Sequence, residues 1–339
     1  MNSKMKLVAL AALSLSGAAF AQQTEVSVYG RANLSAEQQK VGGVSENALV
    51  DNQSRLGVRA KRDLGDGMSV GATLEAGVNF NNGSTTSSLF AREATAFLAG
   101  ANGTVKLGRM AASSAYFATA DYVSNHNHDT GTSADALYDF IATGSLKNAI
   151  GYTSPKIGNL QLEAQYGLKN GTGYDGTTSA SVNPMALAAN YNVGAVALGL
   201  GYERGQNFIT NNPGDVAKQL TGRVFYTVGA LGFGGYVQQS SGTDFGRTAY
   251  RLSAVYTVGK GEYHVNFGHA GNRENAANSA ADQYTLAYNY NLDKQTKVYA
   301  LYTAVKNGSG ASYNPGRLFV SPTAGQEVNS VGVGLRYNF

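Results

Sequence analysis

The residues best suited to bind or orient a charged ligand form a short basic row. From Arg55 to Lys61 the sequence alternates, so that Arg55, Arg59 and Lys61 share one face and aliphatic residues share the other. Successive side chains of a β-strand point to opposite faces, which predicts a strand with one cationic side. Cations need water to stay ionised. The basic face is therefore expected to line a water-filled space.

Further charges are assigned to the same space. Arg31 and Arg92 are predicted to point the same way as the basic row, and Glu75 is predicted to oppose it. Acidic residues also occur in the longest connection between predicted strands, residues 110–147: Asp121, Asp129, Asp135 and Asp139. Opposed charges across water would orient polar solutes and bias ion passage. For any one of these residues, a solvated surface position is an equal alternative.

Catalytic and metal chemistry find little support. His126-Asn127-His128-Asp129 is the one candidate metal motif, but it lacks the further ligands and fixed geometry of a zinc site. The chain has four histidines, and no nucleophile elbow, H-E-x-x-H motif, P-loop or dinucleotide fingerprint occurs. We therefore expect no enzyme activity, no cofactor and no metal.

The elements that must position these charges are strands. In residues 330–339, Val, Leu, Tyr and Phe alternate with Ser, Gly, Arg and Asn, and the same period of two recurs in sixteen segments. The 43 Gly and 21 Tyr suit turns and amphipathic rings, and a mean hydropathy of -0.21 is too polar for a bundle of membrane helices. The sequence predicts an all-β protein.

The amino terminus has the order of a secretory signal peptide. Lys4 and Lys6 precede the apolar run 7–15, which leads to Ala19-Phe20-Ala21. Residues 1–21 are predicted to be removed, leaving residues 22–339 as one barrel domain. Loss of the two lysines lowers the formal charge from +4 to +2. A nearly neutral chain is not expected to bind nucleic acid, and the absence of cysteine excludes disulfides.

The connections between predicted strands alternate between two length classes. Seven are short and rich in Gly, Asn and Asp, whereas eight are long, such as 35–54, 110–147 and 240–246. Transmembrane barrels have short turns at one end, long loops at the other and an even strand number. We therefore predict a 16-stranded antiparallel transmembrane β-barrel. Its first and last strands should pair, since an open edge in hydrocarbon leaves backbone groups unpaired.

Four stretches together resemble a known family. Residues 26–30 (VSVYG), 54–59 (SRLGVR), 103–109 (GTVKLGR) and 334–339 (GLRYNF) are similar to segments of the Gram-negative general porins, in particular the neisserial and β-proteobacterial branch. The resemblance covers essentially the whole chain after residue 21. It implies a homotrimer in the outer membrane of a Gram-negative bacterium, in contact with outer-membrane lipid, with the third outer loop, 110–147, folded inward as a constriction.

The resemblance also assigns roles to single residues. Arg55, Arg92 and Lys147 correspond to basic residues of the constriction, Glu75 to their acidic partner, and Phe339 to the terminal aromatic read by the barrel-insertion machinery. The implied function is passive diffusion of ions and small hydrophilic solutes. The wall cations favour anions, which the loop aspartates would counteract. An outer-membrane barrel enzyme of lipase or protease type and an adhesin-like barrel are the alternatives.

Overall fold

The computed structural model describes residues 24–86, 88–124, 134–140, 146–168, 182–206, 214–243 and 245–339. Strands account for most of them. In chain order they are β1 (Glu25–Val41), β2 (Val44–Asp51), β3 (Arg55–Gly65), β4 (Met68–Asn79), β5 (Ser84–Thr85), β6 (Glu93–Gly100), β7 (Gly103–Arg109), β8 (Ala149–Thr153), β9 (Leu160–Gly167), β10 (Met185–Val193), β11 (Val196–Gln206), β12 (Val216–Val228), β13 (Leu231–Gly242), β14 (Phe245–Val258), β15 (Gly261–Ala270), β16 (Ala281–Asn291), β17 (Thr296–Asn307) and β18 (Val328–Asn338).

These strands form one closed antiparallel barrel of sixteen positions. β2 and β3 pair with successive parts of β1, so the two together occupy one position in the barrel. β5 is a two-residue strand that pairs with the last two residues of β4 and occupies no position of its own. β18 pairs with β1 from Arg31 opposite Asn338 to Val41 opposite Val328. The predicted fold, strand number and closure are confirmed.

The two faces of each strand differ as the sequence predicts. In β18, Val331, Val333 and Leu335 are 51%, 61% and 49% exposed, whereas Ser330, which has the opposite parity, is 2% exposed. Large aliphatic side chains on a continuous outer surface match the lipid-facing band of a membrane barrel, and the polar face points inward. Among the residues described, no helix has the length and apolarity needed to cross a membrane.

The prediction of a long loop at residues 35–54 is wrong. β1 runs on to Val41, turns at Gly42 and Gly43, and returns as β2. The inward residues here are polar and buried, so this part of the sequence lacks the alternation that predicts a strand. Their polar groups find partners inside the barrel. Gln39, for example, donates to the carbonyl of Arg317 (3.0 Å) and accepts from the amide of Phe319 (2.9 Å). Residues 240–246 are likewise mostly strand, because β13 ends at Gly242 and β14 begins at Phe245.

Arg92 is predicted to point the same way as the basic row as part of a strand, but β6 begins only at Glu93. Phe90 has a φ of 58°, outside the extended region, which delays the strand. Glu93 therefore takes the inward parity, opposite Glu75. Arg92 lies just before the strand, so its direction is not set by strand alternation.

The long connection after β7 folds into the barrel. It contains α1 (Ser114–Tyr116), a π-helical stretch (Phe117–Asp121) and α2 (Tyr122–Ser124). This helical segment lies against inward positions of β11, where a Cβ on Gly201 would sit 2.8 Å from Ala115 and one on Gly199 would overlap the carbonyl oxygen of Ala118. Glycine at both positions lets the two backbones approach. The predicted inward fold of the third loop is confirmed for its described parts.

Candidate functional site

The basic row projects from β3 into the lumen. Leu56 and Val58 are exposed on the outer surface, so Arg55, Arg59 and Lys61, which have the opposite parity, face inward. Arg59 and Lys61 are exposed in the lumen, whereas Arg55 is half-buried. The guanidinium carbon of Arg59 lies 5.0 Å from the ring centroid of Tyr29, a cation–π distance. The structure thus places two solvated cations on this wall.

Glu75 lies beside the cations rather than across the lumen, which corrects the predicted opposition. Gly57 of β3 and Glu75 of β4 are cross-strand partners. Glu75 Oε1 accepts from Arg92 Nε at 2.7 Å and lies 4.0 Å from Arg55 Nη1, while Oε2 accepts from the hydroxyl of Tyr29 at 3.0 Å. The carboxylate therefore partly neutralises its own wall and fixes the direction of two arginines.

Side-chain amide oxygens also accept hydrogen bonds from two of the wall cations, Arg92 and Arg31. Arg92 Nη1 donates to Gln53 Oε1 at 2.8 Å, and Arg31 Nε donates to Asn338 Oδ1 at 2.9 Å. Arg31 of β1 is the direct neighbour of Arg55 of β3. The basic surface therefore extends from β3 to β1.

Asp135 of the inward loop binds the opposite part of the wall. Its Oδ1 accepts from Arg251 Nη2 at 2.7 Å, and its Oδ2 accepts from Arg251 Nε at 2.8 Å and from the Tyr236 hydroxyl at 2.5 Å. Burial raises the pKa of the carboxyl, but the charge and hydrogen bonds of Arg251 outweigh burial and hold the net pKa below its ordinary value. Asp135 is therefore a paired, buried carboxylate.

Asp139 is bound in the same way by Arg247, which lies on the same strand, β14, as Arg251. Arg247 Nε donates to Asp139 Oδ2 at 2.9 Å, its Nη2 also contacts Oδ1, and Nη2 donates to the carbonyl of Leu137 at 2.8 Å. The sequence predicts that Asp135 and Asp139 oppose the basic row as lumen charges. The structure corrects this expectation, because both carboxylates are neutralised by arginines of the wall behind the loop.

Two glutamines clamp the loop backbone beside these ion pairs. Gln238 of β13 accepts from the amide of Asp139 at 2.9 Å and donates to its carbonyl at 3.2 Å. Gln283 of β16 accepts from the amide of Ala136 at 3.0 Å and donates to the carbonyl of Ala134 at 2.8 Å. Charge and backbone pairing together hold the segment 134–140 against the wall.

The other predicted residues are more scattered. Asp121 is half-buried at the end of the π-helical stretch, and Lys147 is exposed at the end of the inward connection. Asp129 and the His126–Asp129 motif lie outside the described residues. Within the part of the chain that the structure describes, no group of three or more His, Cys, Asp or Glu could hold a metal ion.

Several inward cations were missed from the sequence. They share the inward parity of their strands: Arg223, Arg247, Arg251 and Lys297. In β14 the signal was available, because Arg247 and Arg251 alternate with exposed Thr248 and Leu252. Arg223 is 5% exposed and its guanidinium stacks on Tyr122 of the helical segment, 3.7 Å from the ring centroid. Arg223, Arg247 and Arg251 therefore contact the inward connection.

The charge distribution across the lumen is therefore uneven. By strand order, β11 to β14, which carry the loop, lie on the far side of the ring from β1 and β3. The loop brings two carboxylates to that side, but both form ion pairs with arginines of β14. On the near side Arg59 and Lys61 remain exposed. A passing ion meets more available positive than negative charge from these groups.

Comparison with protein families finds one match over most of the chain. A model described as Gram-negative porin matches residues 7–311. Outer membrane porin protein 32 of Delftia acidovorans is 28% identical, over 99% of this chain and 100% of its own. An outer membrane porin of Bordetella pertussis is 25% identical over 99% of this chain and 100% of its own.

Solved structures share the architecture. The anion-selective porin from Comamonas acidovorans superposes with a TM-score of 0.79 at 22% identity, covering 94% of this chain and 100% of that protein. The trimer form of OmpT from Vibrio cholerae superposes with a TM-score of 0.68 at 15% identity, covering 93% and 99%. At these identities the superpositions show a common fold.

Proposed function

Because the chain belongs to the Gram-negative porin family and is an outer-membrane diffusion channel, we propose that its lumen passes small hydrophilic anions in preference to cations. The observation that carries this proposal is the difference in available charge between the two sides of the lumen. Asp135 and Asp139 are ion-paired with Arg251 and Arg247, whereas Arg59 and Lys61 stay exposed. The exposed charge that these residues present on the β3 wall is therefore positive, which lowers the energy of anions that pass it.

Zero-current potentials in a salt gradient test this preference. Purified protein is inserted in a planar bilayer with potassium chloride at two concentrations. Faster diffusion of chloride than potassium gives a potential of defined sign, and the opposite sign would overturn the anion preference. Absence of conductance steps would instead contradict channel formation. The similar porin from Comamonas acidovorans is described as anion-selective, which supports the direction of the proposal.

We also propose that the channel is a homotrimer whose subunits meet through β1, β3, β4, β6 and β7. The outward positions of these five neighbouring strands hold no aromatic side chain. By contrast, exposed Tyr226, Phe233, Tyr256 and Tyr290 lie on the outer surface of β12 to β16. Aromatic girdles mark where a barrel meets the membrane interface. A face without them suits contact with protein.

The trimer is tested by placing bulk on that face. Val58 and Val224 are both exposed outward valines, on β3 and β12 respectively. Val58→Trp is expected to release monomers in detergent, while the matched Val224→Trp stays assembled. Equal behaviour of the two variants in native electrophoresis and chemical cross-linking would contradict the proposed interface.

Two further assignments complete the proposal. Residues 1–21, which lie outside the described residues, act as a removable signal peptide, and amino-terminal sequencing of the outer-membrane form should begin at Gln22. Phe339 serves assembly by the barrel-insertion machinery. Relatives of this chain are channels rather than enzymes, and we assign no catalytic step to the lumen.

A further inference from the structure

Three inward side chains form a buried row on the wall behind the inward connection. Glu203 of β11 and Gln219 of β12 are direct cross-strand partners, and Gln219 is in turn the partner of Ser240 on β13. Their exposed fractions are 2%, 1% and 0%. Neighbouring strands lie about 4.8 Å apart, so Glu203 and Ser240 flank Gln219 closely on the concave face of the wall. The row is therefore a compact, buried group of oxygen-bearing side chains.

The carboxylate of Glu203 has no counter-charge in this row. Across the described part of the chain, no lysine or arginine forms an ion pair with it. Arg247 of β14 follows as the cross-strand partner of Ser240, but its guanidinium is bound to Asp139. The hydroxyl of Ser113 donates a hydrogen bond to Glu203. A buried carboxylate needs a positive charge as well as hydrogen bonds, because water does not solvate it.

Two neutral oxygens of the row also lack partners. Among the residues described, none hydrogen-bonds to Gln219 Oε1 or to Ser240 Oγ, and both atoms are buried. The amide nitrogen of Gln219 contacts the hydroxyl of Tyr138 and donates to Thr221 Oγ1 at 3.3 Å. These contacts fix the direction of the amide and leave its oxygen without a donor. Adjacent buried acceptors are costly unless an electropositive group binds them.

Two parts of the inward connection close over this row. Ser113 lies just before α1, and Tyr138 lies in the segment 134–140. Burial and then the charge of Glu203 raise the pKa of the Tyr138 hydroxyl well above its ordinary value. Tyr138 therefore stays neutral and adds no second negative charge. The enclosed group has one carboxylate, with neutral amide and hydroxyl oxygens around it.

We propose that a monovalent alkali-metal cation binds between Glu203, Gln219 and Ser240 and anchors the inward loop to the wall. Hard cations take oxygen ligands such as carboxylates and amide carbonyls. One carboxylate balances a single positive charge, whereas a divalent cation would keep an uncompensated charge in a buried place. A proton on Glu203 would satisfy one acceptor at most, but a cation contacts all three side chains. The site lies behind the loop, so its failure would leave the anion preference of the lumen intact.

Heat stability of the purified full chain in different salts tests the site. Choline chloride, whose cation is too large for a buried site, is replaced stepwise by sodium or potassium chloride at constant ionic strength. We expect the unfolding temperature of the wild type to rise with the alkali cation and to saturate. Glu203→Gln should lose this rise, because the neutral amide does not attract a cation. Ser240→Ala, which removes one ligand, should need more salt for the same rise.

The control is Glu163→Gln, which removes a carboxylate from the inward face of β9 and should keep the wild-type response to alkali cations. Current noise gives a second measurement. Wild-type channels should be noisier in choline chloride than in the alkali chloride, whereas Glu203→Gln should be equally quiet in both. Equal salt responses of the wild type and Glu203→Gln would overturn the proposal and indicate a protonated Glu203. A stabilising response to calcium that a chelator removes would also overturn it, because the ion would then be divalent.

Discussion

Asp135 and Arg251 form a bidentate pair between the inward loop and the barrel wall, with oxygen to nitrogen distances of 2.7 and 2.8 Å. The Arg251 side chain is fully buried and that of Asp135 is 5% exposed. A buried pair of this kind is costly to break, because the remaining charge has no water to solvate it. The position of the loop, and with it the width of the lumen, therefore depends on this contact.

Removing one partner should release the loop. Asp135→Asn is expected to destabilise the seated loop by about 3 kcal/mol, since Arg251 remains buried without its counter-charge. Single-channel recordings should show larger current fluctuations than wild type. The combined variant Asp135→Leu with Arg251→Met removes both charges and should be quieter than the single variant. Asp293→Asn, in an exposed turn, serves as the control. Wild-type noise in Asp135→Asn would contradict the role of the pair.

The same pair predicts the acid limit of the channel. In the folded protein, with the loop bound to the wall, the pKa of Asp135 lies below the ordinary aspartate value of about 3.9. The ion pair therefore contributes its full stability at any pH above that ordinary value. The contribution is lost as pH falls through the lowered pKa. Conductance noise should stay constant from neutral pH to about 4 and rise only in stronger acid. Asp135→Asn should show no such acid-dependent rise, and a wild-type transition near neutral pH would count against this assignment.

Selectivity should depend on the exposed cations of β3. A unit charge about 4 Å from an ion in water changes its energy by about 1 kcal/mol, or about fivefold in relative permeability. Arg59→Gln and Lys61→Gln should each lower the preference for chloride, and Arg59→Glu with Lys61→Glu should favour potassium. Zero-current potentials report the change. Arg62→Gln removes a neighbouring cation of opposite parity and should have little effect.

Seating of the helical segment should require glycine on β11. A methyl group at Gly199 would overlap the carbonyl oxygen of Ala118, so Gly199→Ala must push the helical segment away from the wall. We expect a smaller conductance and a stability loss of about 1–3 kcal/mol from overpacking. Gly222→Ala is the matched control, because its methyl group points to open space on β12. Unchanged conductance in Gly199→Ala would show that the segment does not narrow the pore.

Barrel closure should depend on Phe339. Its amide and carbonyl exchange hydrogen bonds of 3.1 and 2.9 Å with Gly30, and its ring covers the Cα of that glycine. Phe339→Ala keeps the backbone bonds but uncovers Gly30, and deletion of Phe339 removes both. Outer-membrane levels and heat stability should therefore fall in the order wild type, Phe339→Ala, deletion, with export unaffected. Tyr337→Ala, another outward aromatic of β18, should assemble better than the deletion.

The alternation of side chains determined which residues face water and which face lipid. Parity along β3 placed Arg55, Arg59 and Lys61 in the lumen, because neighbouring strand residues must point to opposite sides. The same pattern, with the alternating connections, predicted the barrel and its closure through β18 and β1. It failed at residues 35–54, where the inward side chains are polar and buried, and where Gln39 donates to the carbonyl of Arg317.

The charges that are available to a solute could be identified only from the contacts of the folded chain. Parity fixes a side chain's direction but not its partner, and Asp135 and Arg251 stand 116 residues apart in sequence. Their pairing depends on the path of the inward loop, which crosses several strands and is set by packing on Gly199 and Gly201. Glu75 likewise proved to be a neighbour of Arg55 and Arg92. The sequence alone therefore predicted a charged lumen, while the fold determined that its exposed excess is positive on the β3 wall.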